Sequence, residues 1–506
     1  MAQLTILTGG QRLCVEAEEG ALLSDVLLQN GCQPDMPCGG KGRCRKCRVR
    51  ASGALSPLSA AELETLSPAE QADGVRLACC AHILGDVQVT AGGGDAVTQI
   101  CTQGAARAVE RPDPLFSTLG AAVDIGTTTL AAQLYDREGL LASAAAPNPQ
   151  RSFGADVISR IGRSMEGEGP ALAGCVRQAI AGLLRDLCRQ AGRKTGEIDA
   201  LVLTGNTAML HLLCGLDASP LAAAPFQARE LFGRSLPAAE LELPCAPGAQ
   251  AYLPRCMSAF VGADITTALL ASGICSGRET RMLTDIGTNG EIALWHEGRL
   301  SCCSTAAGPA FEGANLSQGM QGAPGAIDHA WAVDGALEVH TIGGTAPKGI
   351  CGSGVADVLA GLLELGRLDE SGLLDDGEDA WPLAPGVALT QGDVRQVQLA
   401  KSAVRAGMET LMARSGLAPE DVVELAIAGG FGSYLSLDSA AAIGLIPPGL
   451  KPRCRVLGNA ALAGAAMLLH SRPLLAESAA LADAAVTADL ATDPIFMEQY
   501  VEQMMF

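Results

Sequence analysis

The distribution of apolar and polar positions predicts an α/β protein in which one short pattern occurs twice. An apolar run at 121–123 leads into Asp124-Ile125-Gly126-Thr127-Thr128-Thr129 and then into a second run at 130–135. This pattern predicts a strand, a tight turn and a second strand, with a carboxylate where the first strand ends. It recurs at Asp285-Ile286-Gly287-Thr288-Asn289-Gly290. Such a turn can offer N–H groups to a phosphate while the carboxylate holds a metal through water, although a single copy also fits an ordinary hairpin.

A strand that runs into a glycine turn follows each copy of this pattern. The first such strand ends in Thr204-Gly205-Asn206 and the second in Ala428-Gly429-Gly430-Phe431-Gly432. Each is preceded by a segment with apolar residues at helical spacing, 171–190 in one case and 404–414 in the other. Two matching halves of this kind predict two lobes with a cleft between them.

Composition and charge argue against several classes of function. The chain has 506 residues, of which 48% are hydrophobic, enough for two or three domains with a large core. Its net charge of −20 argues against nucleic acid and anionic membranes as partners, because both bind net basic surfaces. The start of the chain does not read as a signal peptide, and no uninterrupted apolar run approaches the ~18 residues of a membrane span. We therefore expect a cytoplasmic protein.

Four of the 18 cysteines have the spacing of an iron–sulfur site. Cys38, Cys44 and Cys47 lie in a glycine-rich loop as C-x5-C-x2-C, and Cys79 follows after 31 intervening residues, beside Cys80. Plant-type [2Fe–2S] ferredoxins use C-x4-C-x2-C with a distant fourth cysteine, so the plan is the same with one extra residue. A zinc knuckle and a thioredoxin-like redox pair fit less well. The segment ending in Cys79 resembles the ferredoxin fourth-ligand segment, which favours Cys79 over Cys80 as the ligand without excluding Cys80.

Basic residues flank the cysteine loop, and a connector follows this region. The six basic residues are Lys41, Arg43, Arg45, Lys46, Arg48 and Arg50. They form either a solvated surface or a docking collar for an acidic redox partner. Glycines at 92–94 and prolines at 112 and 114 predict a flexible linker over 96–117, which would let a small redox domain visit more than one partner.

Taken in order, the motifs of the longer region resemble the ASKHA superfamily of acetate and sugar kinases, actin and heat-shock chaperones. Asp124–Thr128 matches the first phosphate motif, Asp285–Thr288 the second and Ala428–Gly432 the adenosine motif, while Gly458–Gly464 resembles the connecting helix. The resemblance implies that ATP binds in the cleft, with phosphate contacts from Gly126, Thr127, Thr128, Gly287 and Thr288 and close approach at Gly429 and Gly430. Asp124 and Asp285 would hold Mg²⁺ through water, and one of them would orient the attacking water.

A further glycine-rich segment, Gly349-Ile350-Cys351-Gly352-Ser353-Gly354, opens a predicted helix at 355–365. Gly352 and Ser353 are candidates for a phosphate contact through the helix N-terminus, and a plain helix cap explains the same residues equally well.

The whole chain resembles the ATP-dependent reductive activators of corrinoid proteins. The segments that carry this resemblance are Cys38–Cys47, Asn148–Val157, Gly205–Met209, Ser304–Gly313 and Ala428–Gly432. It implies an α/β fold with an N-terminal β-grasp [2Fe–2S] ferredoxin-like domain at 1–95, a linker at 96–117, and a two-lobed ASKHA ATPase domain with lobes at 118–279 and 280–506. Longer members carry a middle domain before the ASKHA region, and this chain is expected to lack it.

The same resemblance implies the reaction and its partners. One electron would pass through the [2Fe–2S] cluster to a corrinoid methyl-carrier protein and return Co(II) to Co(I), with ATP making the uphill step possible. The electron donor would be a low-potential ferredoxin or flavodoxin, and the family suggests a homodimer.

Three other functions account for parts of the sequence. An activator of 2-hydroxyacyl-CoA dehydratases shares the ASKHA fold, but it holds a [4Fe–4S] cluster at a dimer interface and has no ferredoxin domain. A small-molecule kinase leaves the cysteine loop unexplained. An electron carrier or redox sensor whose actin-like part only binds nucleotide is the non-enzymatic alternative. The last segment, 493–506, has apolar residues at helical spacing and predicts a helix packed on the second lobe.

Overall fold

A computed structural model of the chain describes residues 1–8, 11–30, 32, 34, 36, 40, 42, 46–90, 100–375 and 379–506. The fold divides into two compact units. One comprises Met1–Val97 together with Asn148–Val176, and the other comprises Thr98–Pro147 together with Arg177–Phe506.

The first unit contains a five-stranded sheet and three helices within the described part of residues 1–90. Its strands are β1 (Ala2–Thr8), β2 (Gln11–Ala17), β3 (Arg48–Leu55), β4 (Val75–Leu77) and β5 (Ile83–Thr90), in the order β2-β1-β5-β3-β4. Its helices are α1 (Leu23–Gln29), α2 (Ala60–Thr65) and α3 (Pro68–Ala72). Strand β1 pairs antiparallel with β2 and parallel with β5, while Leu23 and Leu27 of α1 are fully buried in the core of this unit. This arrangement confirms the predicted β-grasp fold.

Residues 148–176 of the first unit form short helical elements. Helix α4 (Val157–Arg163) begins at Asp156, whose side chain accepts the Ser159 amide at 2.8 Å. Helix α5 (Gly169–Gln190) starts in this unit and runs into the second, which confirms the helix predicted at 171–190.

The second unit contains two six-stranded sheets with smaller additions. Its strands are β6 (Leu119–Ile125), β7 (Thr129–Tyr135), β8 (Leu140–Pro147), β9 (Ile198–Gly205), β10 (Arg234–Pro237), β11 (Gln250–Leu253), β12 (Arg281–Ile286), β13 (Gly290–His296), β14 (Arg299–Thr305), β15 (Ala326–Val333), β16 (Ala336–Thr341), β17 (Gly349–Ile350), β18 (Ala380–Ala384), β19 (Val387–Thr390), β20 (Glu424–Ala428), β21 (Cys454–Gly458) and β22 (Val486–Thr487). The two large sheets have the orders β10-β11-β9-β6-β7-β8 and β21-β20-β12-β13-β14-β22. Strands β16-β15-β17 form a three-stranded sheet, and β18 pairs with β19.

The remaining helices of this unit are α6 (Thr207–Cys214), α7 (Ala263–Ser272), α8 (Gly352–Glu364), α9 (Gln391–Arg414), α10 (Leu437–Ala442), α11 (Ala460–His470), α12 (Arg472–Ala484) and α13 (Pro494–Glu502). Helix α9 begins well before the segment predicted at 404–414. Thr390 caps this earlier start by accepting the Asp393 amide at 3.1 Å, and the Asp393 carboxylate accepts the Thr390 amide in return.

The two large sheets repeat the same four-strand core. In the first, β6 pairs antiparallel with β7 and parallel with β9; in the second, β12 pairs antiparallel with β13 and parallel with β20. The register places Asp124 opposite Thr204 and Asp285 opposite Ala428. Each aspartate therefore lies at the end of a strand, level with the glycine turn of its parallel neighbour. This pairing confirms the predicted duplication.

Helices α7 and α11 pack against each other, and their residues share one core with residues from both large sheets. A Cβ atom on Gly464 would lie 1.9 Å from the carbonyl oxygen of Thr267, so glycine is required for the two helix backbones to approach this closely. Asp264 lies in the first turn of α7, and Asn459 is the residue that precedes α11. The packing of the two helices brings both residues close to the ends of β6 and β12.

The described part of the predicted linker makes backbone contacts with the second unit. The Asn459 amide donates to Gln103 at 2.9 Å, the Arg107 amide to Ala271 at 2.9 Å and the Leu115 amide to Leu469 at 2.9 Å. Residues 100–115 are thus held along the second unit by backbone hydrogen bonds that composition does not reveal. The glycines at 92–94 lie outside the described residues.

The C-terminal helix packs as expected. Helix α13 lies on α9, where Ser402 donates to the carbonyl of Gln503 at 2.8 Å and Gln398 to that of Met504 at 2.9 Å. Within the described residues, none of the helices is both long enough and apolar enough to cross a bilayer.

A buried ion pair supports the strand that leads to Cys79. Glu62 of α2 is 0% exposed and accepts hydrogen bonds from Arg76 Nε at 2.8 Å and from the Leu77 amide at 3.0 Å. Burial opposes ionisation of Glu62, but the hydrogen bonds from Arg76, Ser59 and Leu77 outweigh it, and the pKa of the carboxyl is lowered. Removing one partner would leave the other charge buried and unpaired.

We therefore expect Arg76→Met to lower the free energy of unfolding of the first unit by about 3 kcal/mol. The matched control is Arg48→Met, because Arg48 and Glu70 form an exposed pair at 3.1 Å whose loss should cost less than about 1 kcal/mol. Urea unfolding followed by circular dichroism measures both. Equal unfolding midpoints for the two variants would contradict the assigned role of the buried pair.

Candidate functional site

Six carboxylates from the second unit line one cavity of about 280 Å³. They are Asp124 at the end of β6, Asp264 in the first turn of α7, Asp285 near the end of β12, Glu291 in β13, Glu312 in the turn after β14 and Asp328 in β15. Asp124 and Asp285 are the residues predicted from the duplicated pattern, and the fold brings them to the same cavity.

Asp124 is fixed by a neighbour from the second half of the fold. The side-chain amide of Asn459 donates to Asp124 Oδ2 at 2.9 Å, while the Asn459 carbonyl oxygen caps α11 by accepting the Leu462 amide at 2.8 Å. Burial raises the pKa of Asp124 to about 6, against the opposing effect of the Asn459 hydrogen bond.

Asp285 lies directly under the second glycine turn. Two features require glycine at position 429. A Cβ atom there would be 2.4 Å from Asp285 Oδ1, and the backbone has a φ of +92°, which side chains disfavour. Burial, followed by the charges of Asp124 and Glu312, raises the pKa of Asp285 to about 7.

Two further acids deepen the negative charge of the cavity. Burial, followed by the charges of Asp285 and Asp124, raises the pKa of Asp264. Burial, followed by the charges of Asp264 and Asp285, raises the pKa of Glu291.

Glu312 connects the two predicted phosphate turns. Thr288 donates to one of its carboxylate oxygens at 2.6 Å, and Thr128 donates to the other. The two threonines come from different sheets, so a single carboxylate bridges the two halves of the duplicated fold.

The other walls of the cavity combine glycine, aromatic and polar groups. Gly430 and Phe431 follow β20, and the Phe431 ring stacks on Phe311 with centroids 4.8 Å apart. Gly352 and Ser353 line another wall at the start of α8. This mixture suits a ligand with an anionic end and a flat apolar end.

The structure places all eleven predicted nucleotide-site residues around this cavity: Asp124, Gly126, Thr127, Thr128, Asp285, Gly287, Thr288, Gly352, Ser353, Gly429 and Gly430. Sequence reasoning gave no role to Asp264, Glu291, Glu312 or Asn459. Asp264 could not have been singled out, because acids are common in the first turn of a helix. Glu291 could have been, because it is a charged residue at the start of an apolar strand.

The donor set fits a divalent cation held through water. Carboxylate oxygens are the ligands that Mg²⁺ prefers, and Mg²⁺ usually keeps several waters. In the described part of the chain, no three His, Cys, Asp or Glu side chains converge closely enough to hold a metal directly. Asp124 and Asp285 thus have the chemistry for indirect coordination.

Two of the four cysteines predicted to bind the iron–sulfur cluster lie in the described part of the chain. Cys47 and Cys79 are buried, with their sulfur atoms 3.3 Å apart, and the Cys80 sulfur lies 3.7 Å from that of Cys79. Burial, and then the charge of Cys79, raises the pKa of Cys80 to about 11. The choice of Cys79 over Cys80 as the fourth ligand stays a prediction. Cys38 and Cys44 lie outside the described residues.

The predicted basic collar is partly neutralised where it is described. Arg48 pairs with Glu70 at 3.1 Å and Arg50 with Asp73 at 3.2 Å. Lys41, Arg43 and Arg45 lie outside the described residues.

Neutralising Asp285 tests the charge of the cavity. Its pKa of about 7 exceeds that of an unfolded aspartate, so the folded state binds more protons between pH ~4 and ~7 and stability falls as pH rises through this window. At pH 8, free of metal and nucleotide, Asp285→Asn should unfold with a free energy about 3 kcal/mol higher than wild type, and near pH 4.5 the gain should vanish. Urea unfolding at the two pH values measures this, and Glu138→Gln, an exposed acid, should show no such pH-dependent gain.

The two glycines of the adenosine turn should respond differently to substitution. Gly429→Ala places a methyl group against Asp285 at a left-handed φ, so we expect a loss of about 2 kcal/mol of stability. Gly430→Ala meets no atom within 4 Å and should leave the stability of the free protein unchanged. Thermal unfolding separates the two variants, and equal melting temperatures would contradict the packing described here.

Comparison with known proteins places these sites in a family context. Three family models match the chain: a 2Fe-2S iron-sulfur cluster binding domain at residues 7–84, the RACo middle region at 119–276, and the C-terminal domain of RACo, the ASKHA domain, at 279–506. The expectation that the chain lacks a middle domain is wrong. The middle region is the segment that carries the sheet of β6–β11, which the sequence pattern assigned to the first lobe.

Individual relatives extend over most of the chain. The corrinoid activation enzyme RamQ of Eubacterium limosum is 31% identical over an alignment of 583 residues that covers 97% of each protein. A Co(II) methylated amine-specific corrinoid protein reductase of Methanosarcina barkeri is 27% identical and aligns over 69% of each. The solved structure of a reductive activator for corrinoid, iron-sulfur protein has a TM-score of 0.72 at 27% identity and covers 100% of this chain and 98% of its own. The chain therefore belongs to the family of ATP-dependent reductive activators of corrinoid proteins, iron–sulfur enzymes with an ASKHA domain.

Proposed function

We propose that the chain uses ATP hydrolysis in the cavity of its second unit to drive one electron from a [2Fe–2S] cluster onto the Co(II) of a corrinoid methyl-carrier protein, which returns to Co(I). The observation that carries this proposal is the cavity itself, in which both duplicated turns and six carboxylates converge. The buried pair Cys47 and Cys79 supports a redox centre in the same chain.

The cavity residues divide the work of phosphoryl transfer by position. Asp124 and Asp285 would hold Mg²⁺ through water, which would neutralise phosphate charge, and the hydroxyl and N–H groups of the two turns would contact the phosphates. Gly429 keeps the space above Asp285 free of side chain, and Gly430 lets the nucleotide lie against the backbone. Phosphoryl transfer needs mainly such positioning and charge neutralisation.

The first unit supplies the ligands of the redox centre. Cys38, Cys44, Cys47 and Cys79 would hold the [2Fe–2S] cluster, which would supply one electron at a potential of about −400 mV for the plant type. A ferredoxin or flavodoxin of low potential replaces that electron. Each ~60 mV of uphill transfer costs about 1.4 kcal/mol, so a gap of a few hundred millivolts requires the free energy of ATP binding and hydrolysis.

A continuous set of contacts links the cavity to the chain that leads to the redox unit. Asn459 bonds Asp124 through its side chain and the carbonyl of Gln103 through its backbone amide. Cys101, two residues earlier, lines the cavity. A change at Asp124 on nucleotide hydrolysis is thus transmitted to the segment that begins at residue 100.

The proposal also includes the domain organisation, the location and the oligomeric state. The domains are the redox domain at 1–95, the linker at 96–117 and the two lobes at 118–279 and 280–506. The protein is cytoplasmic and forms a homodimer.

An anaerobic assay tests the function. The protein, reduced by a low-potential donor, should convert Co(II) to Co(I) in a corrinoid protein from the same genome only when Mg²⁺ and ATP are present. The visible spectrum of the corrinoid measures this conversion. Cys79→Ser should lose the visible absorption of the cluster and the conversion, while Cys80→Ser should keep both. Conversion without ATP, or none with any corrinoid protein of that genome, would rule the proposal out and favour a simple electron carrier.

A further inference from the structure

The charge balance of the cavity is unusual for a site that takes a polyanion. Six carboxylates line it: Asp124, Asp264, Asp285, Glu291, Glu312 and Asp328. Among the described residues that line it there is no lysine or arginine, and His329 is the one side chain able to carry a positive charge. Phosphate groups add further negative charge. Of the described lining side chains, His329 is therefore the candidate to offset that charge.

A buried carboxylate orients His329. Its Nδ1 lies 2.9 Å from Oδ2 of Asp357 in α8, and the Asp357 side chain is 5% exposed, whereas that of His329 is 47% exposed. Because Asp357 engages Nδ1, the ring presents Nε2 as the nitrogen available to a ligand. The second oxygen of Asp357 is buried and has no hydrogen-bond partner among the described atoms, so a positive charge on the ring would compensate a carboxylate that is otherwise poorly solvated.

The wall around His329 has a second feature that favours anions. Helix α8 begins beside β15, where Cys351 donates its amide to Ile327 at 3.0 Å and Ser353 donates its hydroxyl to the Asp328 carbonyl at 3.1 Å. A Cβ atom on Gly354 would lie 2.0 Å from the carbonyl oxygen of Ile327, so the helix start is packed tightly on this strand. The positive end of the α8 dipole and His329 therefore share one wall.

A second histidine nearby has a different environment. His340 of β16 places Nδ1 2.7 Å from Asp328 Oδ1, and its ring centroid is 6.4 Å from that of His329. It is not among the residues that line the cavity. His340 is thus a matched control for His329, with the same side chain and a carboxylate partner of its own.

We propose that His329, oriented by Asp357, binds the phosphate groups of the nucleotide as the cationic side chain of the site. This inference rests on the proposed function, because it assumes that the cavity takes ATP. His329 acts by binding and positioning, and the phosphoryl transfer itself stays with the groups around Asp124 and Asp285.

Nucleotide affinities of the full-length protein, measured by titration calorimetry in the presence of Mg²⁺, test the inference. His329→Gln should weaken ATP and ADP binding about tenfold, since a charge-assisted hydrogen bond is lost, and should change adenosine binding by less than about twofold. Asp357→Asn should shift ATP affinity in the same direction, and His340→Gln should leave it within about twofold of wild type. Should Asp357→Asn fail to fold, the half-exposed His329→Gln still decides the question.

The outcomes separate this inference from the proposed function. If the wild-type protein binds neither ATP nor ADP, the proposed function itself fails. If wild type binds ATP and His329→Gln binds it equally well, only the role of His329 is overturned. A loss of equal size for ATP and adenosine would overturn it as well, because His329 would then contact the nucleoside and not the phosphates.

Discussion

Burial of clustered carboxylates away from water, with repulsion added at Asp285 and Asp264, is the main physical constraint on the second unit. Asp124 and Asp285 end equivalent strands of two sheets, and Asp264 joins them from the start of α7. Their raised pKa values record the cost of holding these groups together away from bulk water. The surrounding fold stabilises the arrangement through the hydrogen bond of Asn459 to Asp124 and the close approach of α7 and α11 at Gly464. A site strained in this way gains most when a cation arrives.

The redox half of the protein requires a source of free energy. An electron transfer that is uphill by a few hundred millivolts costs several kcal/mol. Residues 100–115 are held along the second unit by the backbone, and Asn459 contacts both this segment and Asp124. Residues 100–115 and Asp124 therefore share one contact, Asn459.

The sequence predicts the fold and the positions of the turns well because both depend on local pattern. The carboxylates at Asp124 and Asp285 follow apolar strands, and the glycines at 429 and 430 end another, so alternation and turn chemistry suffice to find them. Glu312 and Asp264 escape such reasoning, because their role comes from long-range packing that brings a turn and a helix start to the same cavity. The contacts of residues 100–115 escape such reasoning for a related reason: their partners, such as Leu469 and Ala271, lie far away along the chain. The supposed missing domain shows a third limit, since a duplicated fold can hide a region that a family describes under another name.

The bridge made by Glu312 has a consequence for what the cleft will accept. In the structure, Thr128 and Thr288 already donate to an anion, and that anion belongs to the protein. An incoming ligand must displace this internal competitor and also overcome the neighbouring carboxylates. Free phosphate or sulfate, arriving without its own counter-charge, gains too little from two hydroxyl groups to do so. A metal-complexed polyphosphate brings positive charge with it, so the Glu312 bridge favours this kind of ligand over simple anions.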